Sequence, residues 1–389
     1  MSRPMQVVFL TVVLDLLGFG LVIPLMPFYA ETFAATPFQI TLIASVYSLA
    51  QFVFAPLWGQ ASDRWGRRPT LVLSVFMTGV MLAGFASATA LWMLFLFRAL
   101  HGVFTANIAI AQACMADLTT PETRARGMGL IGAAFGIGFT IGPALGGGLS
   151  EFGISVPIWV AAGLSFLNFL LAWRYLPETR RPGSASTRRS IDPIALLRAV
   201  RHPAVGLCIL LTFLYVFAFA AMESTFTLFA MHEHGLGAME IGLMVGVVGV
   251  VGAVVQGGLV HRLVKRFGEP ALLPPALLLV AIGVASLPLA PIVAPMLGVF
   301  VVMAIGQGLA SPSLQSLVSR GVGEDEQGEI LGSNQSMGAL ARVVGPASGG
   351  WLYENVAPSV PFLAAGAVLC VAALVSIPAG RAAVAGRVG

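Results

Sequence analysis

Of the chain's 389 residues, 57% are hydrophobic and only 10% carry a charge, against about 25% charged in a soluble domain. No water-soluble core absorbs that much apolar surface, so the composition excludes a soluble protein and makes lipid the solvent. The formal net charge is +4, but the basic residues lie in short segments between apolar runs, which excludes a nucleic-acid-binding surface.

In chain order the sequence predicts twelve spans, near 5–29, 39–58, 70–88, 91–116, 127–150, 156–176, 204–231, 238–261, 270–290, 293–319, 328–353 and 357–379. Each is about 20 residues or more, enough for a helix to cross the hydrocarbon core and far too long for barrel strands. The first run is too long for the apolar region of a secretion signal and lacks a cleavage-like end, so it reads as a span. Cys114, Cys208 and Cys370 all fall inside apolar runs without metal-ligand spacing and read as buried, inert thiols.

Basic residues set the orientation. With the N-terminus inside, Arg98 and Arg342 fall within spans and every other Lys or Arg falls on the cytoplasmic side, with both termini cytoplasmic. The longest polar segment, "PETRRPGSASTRRSIDP", reads as a linker. It divides the chain into a six-helix bundle at 1–176, a cytoplasmic linker at 177–203 and a second six-helix bundle at 204–389. The halves echo each other: "GFTIGPALGGGL" at 138–149 matches "LARVVGPASGGWL" at 340–352. An internal repeat of this kind marks a two-bundle transporter holding substrate between its halves.

Four charges lie inside spans, where each costs about 2.5–3.5 kcal/mol on insertion scales. Asp15 is near half depth in the first span. Arg98 enters the fourth from outside, at a height that would suit Asp15. The pair reads either as a proton-responsive carboxylate beside an arginine or as a static ion pair. Glu223, in "FAFAAMESTFTLF", is flanked by Phe219, Met222 and Phe226 and reads as a site for a proton or a greasy cation, or as a helix-end residue reaching the outer surface. Arg342, near the middle of span eleven, is its candidate partner. Asn107, Gln256, Gln307 and Asn334 are polar positions inside spans that either line a cavity or bind helices together.

Span five carries glycines at 138, 142 and 146 in repeated G-x-x-x-G spacing, which admits a close helix neighbour. Pro143 removes a backbone donor there and is expected to bend the helix. The segment "GQASDRWGRRP" at 59–69 reads as the cytoplasmic turn between spans two and three. Gly59 and Gly66 are expected to permit the turn. Arg64, Arg67 and Arg68 suit an anionic inner surface. Asp63 gains nothing from that surface and needs a cation or a helix N-terminus across the bundle interface.

These segments resemble the major facilitator superfamily. "GQASDRWGRRP" is similar to its signature loop. "LDLLGFGLVIPLMP" (14–27), "FRALHG" (97–102) and "GFTIGPALGG" (138–147) resemble the first-, fourth- and fifth-span motifs of its twelve-span drug:proton antiporters, tetracycline efflux proteins among them. The resemblance implies alternating access, with proton uptake driving export. It implies proton-coupling roles for Asp15 and Arg98. It makes Gly59, Asp63, Arg64, Gly66, Arg67 and Arg68 a cytoplasmic gate, and Gly138, Gly142, Pro143, Gly146 and Gly147 an antiporter kink. Two departures stand out. The second copy of the loop, "GGLVHRLVKRFGEP", has His261 or Arg262 where an acid is expected. Spans three and nine lack the membrane acids of tetracycline efflux proteins.

The expectation is an all-α membrane protein of twelve transmembrane helices with the major facilitator fold. It is expected to be a monomer in a bacterial inner membrane that exchanges protons for small amphiphilic, cationic compounds, with no metal or cofactor. Export of a metabolite, siderophore or lipid, and a non-transporting membrane receptor, are the alternatives. No nucleophile–base pair, phosphate loop or metal cluster suggests an enzyme.

Overall fold

The computed structural model describes residues 2–180, 198–203 and 205–385. Among these the regular structure is helical, as a lipid solvent requires: a helix satisfies its own backbone groups without water. α1 (Arg3–Val22) runs through a single turn of 3-10 helix into α2 (Met26–Glu31). There follow α3 (Pro37–Trp65), α4 (Arg67–Ala86), α5 (Leu91–Phe104), α6 (Asn107–Asp117), α7 (Pro121–Ser150) and α8 (Val156–Tyr175). The rest comprises α9 (Gly206–His234), α10 (Ala238–Val254), α11 (Val260–Phe267), α12 (Glu269–Ser286), α13 (Val293–Arg320), α14 (Glu324–Asn355) and α15 (Val360–Ala385).

Among the described residues ten helical stretches are long and apolar enough to cross a membrane, so this is a multi-pass membrane protein. Two of the twelve expected spans fall outside that set for identifiable reasons. In the eighth, α10 has only 17 residues before a π-helical turn at Val255–Leu259 interrupts it. The eleventh is α14, which at 32 residues is long enough but carries Asn334, Gln335 and Arg342 in its middle.

The described chain forms two compact units. Of the described residues, one comprises 2–35, 46–180 and 236–249; the other comprises 36–45, 198–203, 205–235 and 250–385. Most of the expected linker, residues 181–197, lies outside the described residues. The sequence repeat is also a repeat of packing. In the first unit α1 packs on α7 and α8, and α4 on α8 and α5; in the second α9 packs on α14 and α15, and α12 on α15 and α13. The first unit's core is built from Val8, Val12 and Leu16 of α1 against Leu71, Val75, Ile110, Met115 and Ile131.

Large apolar side chains remain on the outside, as they would against acyl chains. Trp65, Trp92 and Tyr175, each at least 60% exposed, stand at helix ends, where amphipathic rings favour the membrane–water boundary. The cysteines correct one expectation: Cys114 and Cys208 are buried, but Cys370 is exposed. A thiol is apolar enough to face outward on a helix such as α15.

Candidate functional site

The fourth span is broken in its middle, and the break builds the site. α5 ends at Phe104, residues 105 and 106 leave the helix, and α6 restarts at Asn107. Such a break frees backbone groups that must be satisfied inside the protein. Ser74 of α4 does so: its Oγ lies 2.5 Å from Phe104 O and accepts from Ala106 N at 3.3 Å. The same hydroxyl contacts Asn107 Oδ1, so one proton is shared between two acceptors.

Asn107 thereby stands at the first turn of α6, and its amide Nδ2 donates to Asp15 Oδ1 at 2.6 Å and to Thr78 Oγ1 at 3.3 Å. Thr78 closes the network by donating to Ser74 O at 3.0 Å. The Asp15 carboxylate on α1 is thus held by an amide at a helix N-terminus, where the positive end of the helix dipole favours an anion.

The expected closeness of Asp15 and Arg98 does not become an ion pair among the described residues. Arg98 is 5% exposed and lies over the rings of Phe85, at 5.0 Å, and Tyr47, at 5.7 Å. Its Nε has no hydrogen-bond partner among the described residues. The physical reason is the break in the fourth span: it turns Asn107, not Arg98, toward α1. Ring faces replace a carboxylate as the neighbours of the guanidinium.

In the second unit, Glu223 on α9 and Arg342 on α14 are both exposed and within electrostatic reach of each other. Their helices pack closely. A methyl carbon on Gly345 would stand 2.8 Å from Phe217 O, and one on Gly349 would stand 2.9 Å from Ala221 O. On this wall of the unit a charged mid-span carboxylate facing acyl chains would be costly. Phe219 is half-buried and stacks on Tyr215 at 6.5 Å. Met222 and Phe226 do not line that wall: both are buried, with Phe226 edge-on to Phe300 at 4.7 Å. Gln256 is exposed in the π-helical turn, Gln307 shares a hydrogen bond with Tyr215, and Asn334 is 6% exposed.

The expected turn between spans two and three is a single residue. α3 ends at Trp65, Gly66 adopts φ +103°, and α4 starts at Arg67. Gly66 needs its glycine twice: a Cβ is strained at that φ, and Glu178 occupies the space it would fill. The Glu178 carboxylate accepts from Arg67 N at 2.9 Å and Arg68 N at 3.2 Å, capping α4. Gly59 corrects the expectation, since it lies inside α3 with open space around it. Asp63 finds its cation locally: Arg67 Nη1 is 2.7 Å away, four residues on and across the Gly66 turn. Arg67 Nε also meets Asp117 at 3.1 Å. Arg68 donates to Trp173 O at 2.7 Å, and Arg64 is exposed. Asp117 and Glu178 were not singled out from sequence, because each acid sits at the end of a different span.

The glycines of α7 serve two neighbours. Gly138, Gly142 and Gly146 face α1: methyl carbons there would stand 2.5 Å from Leu16 Cβ, 2.8 Å from Gly20 Cα and 2.6 Å from Leu21 O. Gly147 faces α10, with Ala238 O 2.7 Å from its would-be methyl. Pro143 leaves Phe139 O without its helical donor, and that carbonyl lies beside Gly249 of α10, 2.9 Å from a methyl placed there.

The family model of the Major Facilitator Superfamily matches residues 8–346. Tetracycline resistance protein, class C, of Escherichia coli is 31% identical over 347 residues, covering 86% of each chain. Multidrug resistance protein 2 of Bacillus subtilis (strain 168) is 29% identical, with 91% of this chain and 90% of that protein covered. Among solved structures, the human organic anion transporter MFSD10 (TETRAN) matches with a TM-score of 0.75 at 26% identity, covering 96% of this chain and 99% of that one.

Proposed function

The chain belongs to the major facilitator superfamily, whose members are transporters and not enzymes, and from that premise we propose that it exports small amphiphilic compounds in exchange for protons. The observation that carries this reading is the setting of Asp15: a mid-span carboxylate held by a neutral amide and, among the described residues, by no cation. A fixed counter-ion would lock such an acid in its charged form. Without one, the acid changes charge by taking or losing a proton.

On this reading the chain has twelve spans, with α10–α11 and α14 completing the set. They form two six-helix bundles, at 1–176 and 204–389, joined through the 177–203 linker, with both termini in the cytoplasm. The protein is a monomer in a bacterial inner membrane. Asp15 loads a proton from outside and releases it inside, Arg98 supplies positive potential nearby, and Glu223 is a second candidate carrier. The Gly59–Arg68 segment, tied down by Asp117 and Glu178, gates the cytoplasmic end. The Gly138–Gly147 seam governs closure of the other end. Coupling requires that proton and substrate favour opposite states, since a ligand with equal affinity for both shifts nothing.

The test is proton movement in proteoliposomes loaded with a pH dye and challenged with a tetracycline, an organic cation and a neutral amphiphile. Substrate-triggered proton flux is expected in the native protein and in Glu223→Gln at reduced rate. In Asp15→Asn it is expected to fall by at least about a hundredfold, the low end of what a positioned proton-transfer group contributes to a rate. Undiminished flux in Asp15→Asn overturns the assignment. The relatives' names point to different cargoes, tetracycline in one case and organic anions in another. A second reading, export of a metabolite on the same scaffold, is favoured by the absence of acids from residues 70–86 of α4 and 270–286 of α12.

A further inference from the structure

The second unit contains a cavity of about 150 Å³ whose walls come from three helices: α9, α13 and α14. It takes a small polar group with a few waters, at about 30 Å³ per water. Among the described residues its charged lining residue is Arg342, and no acid lines it. Beside Arg342 lie Tyr215, Gln315, Asn334 and Gln335. Gln315, Gln335 and Arg342 are exposed residues. Asn334 differs: it is 6% exposed, and its Oδ1 has no hydrogen-bond partner among the described residues. A buried acceptor left unmade is costly, so this oxygen calls for a donor supplied by whatever fills the cavity.

The remaining wall groups narrow the choice. Thr212 Oγ1 donates to Cys208 O at 3.1 Å, and Tyr215 is engaged with Gln307. The guanidinium folds back along α14, with Nη1 3.9 Å from where a methyl on Gly338 would stand; a side chain at 338 would compete for this space. Guanidinium groups recognise carboxylates, phosphates and sulfonates through paired N–H donors.

Resting on the export reading above, we propose that this cavity is the subsite that selects the cargo. It takes the acidic head of an amphiphilic organic anion that carries a hydroxyl or N–H group beside the acid. Arg342 binds the anion, Asn334 Oδ1 accepts from the neighbouring donor, and the Gln315 and Gln335 amides fill the remaining hydrogen bonds. The apolar part extends along α9 past Phe219. Glu223, within electrostatic reach of Arg342, opposes the anion, but Arg342 and not Glu223 lines the cavity, so the site favours anions and not the cations expected from Glu223 alone.

The experiment measures binding of four matched probes to the full chain in lipid nanodiscs by calorimetry: naphthoate, a naphthoate with a hydroxyl beside its acid, naphthamide and naphthylmethylammonium. The expected order places both carboxylates at least about tenfold tighter than the ammonium, as one charge-assisted hydrogen bond allows. Arg342→Gln is expected to weaken carboxylate binding about tenfold and to leave naphthamide within about twofold, with Arg342→Lys intermediate because it keeps charge but not the fork. Glu223→Gln is expected to tighten carboxylate binding. Asn334→Leu is expected to erase the advantage of the hydroxyl-bearing probe.

Tightest binding by the ammonium, or an unchanged preference in Arg342→Gln, overturns the proposal. If Arg342→Gln is not monodisperse, the native protein's charge preference and Arg342→Lys decide the matter. The same probes in the proton-flux assay separate this proposal from the export reading. Carboxylates that bind through Arg342 without moving protons sink export and leave the subsite. Proton-coupled flux with an ammonium preference sinks the subsite and leaves export.

Discussion

The α3–α4 turn and the α11–α12 turn share a backbone and oppose each other in charge. In each, one glycine with positive φ separates two helices, Gly66 at +103° and Gly268 at +77°. In each, the next residue reaches the end of the span that follows. In the first turn that residue is Arg67, which meets Asp117 at 3.1 Å. In the second it is Glu269, which meets Arg320 Nη2 at 3.1 Å and accepts from Ser316 Oγ at 2.9 Å. The first turn adds Asp63 and the Glu178 cap. The second has Pro270 early in α12, which leaves one fewer N–H to satisfy. The lesson is that the repeat preserves a tie between neighbouring spans, while the sign of each charge is free as long as its partner changes with it.

The comparison breaks most visibly if the sign of one partner is changed alone. Arg67→Glu sets a new acid among Asp63, Asp117 and Glu178. It is expected to cost roughly 2–3 kcal/mol, less than a fully buried pair because water reaches both aspartates. Adding Asp117→Arg copies the second turn's arrangement and is expected to recover about half; size-exclusion chromatography after a heat step reads both. No recovery would mean that the sign matters locally.

Next in size, Gly66→Ala is expected to cost about 2 kcal/mol, combining positive-φ strain with displacement of the Glu178 cap. Gly268→Ala, whose nearest neighbour would be Pro270 Cδ at an ordinary 3.7 Å, carries the φ strain alone and is expected to cost about 1 kcal/mol. Equal losses would show that Glu178 contributes nothing. Glu269→Gln keeps the Ser316 contact and weakens the tie to an exposed Arg320, so a loss under about 1 kcal/mol is expected. Smallest of all, Gly59→Ala is expected to raise stability by up to about 1 kcal/mol, since it lies inside α3 with nothing to clash. A clear loss would show that Gly59 is needed for something beyond its helix.

The second turn was partly legible. Its sequence "VKRFGEP" reads as a degraded copy when an acid is sought before the glycine, at His261 or Arg262. Arg262 is exposed, and the side chain of His261 is not among those described. The acid stands after the glycine, and aligning Gly268 with Gly66 would have found Glu269. Asn107 was legible as a polar residue in a span, but its bond to Asp15 was not, because 92 residues separate them. Met222 and Phe226, four residues apart, share a face of α9 that packs inside, while Glu223 beside Met222 is exposed; which face packs inside is set by the neighbouring helices.

What the sequence determined by itself is whatever depends on composition and period: lipid as solvent, helices as the spanning element, the internal repeat, and the glycines that only close helix packing explains. These follow because every residue of a span meets the same solvent constraint, so the signal accumulates along the chain. What only the tertiary structure decided is which groups meet. The break between α5 and α6 sends Asn107 to Asp15 and leaves Arg98 among rings, and packing of α9, α13 and α14 brings Arg342 and Asn334 to one cavity. Those meetings depend on distances of a few ångströms between segments far apart in the chain, where a hydrogen bond is made or lost within less than 1 Å.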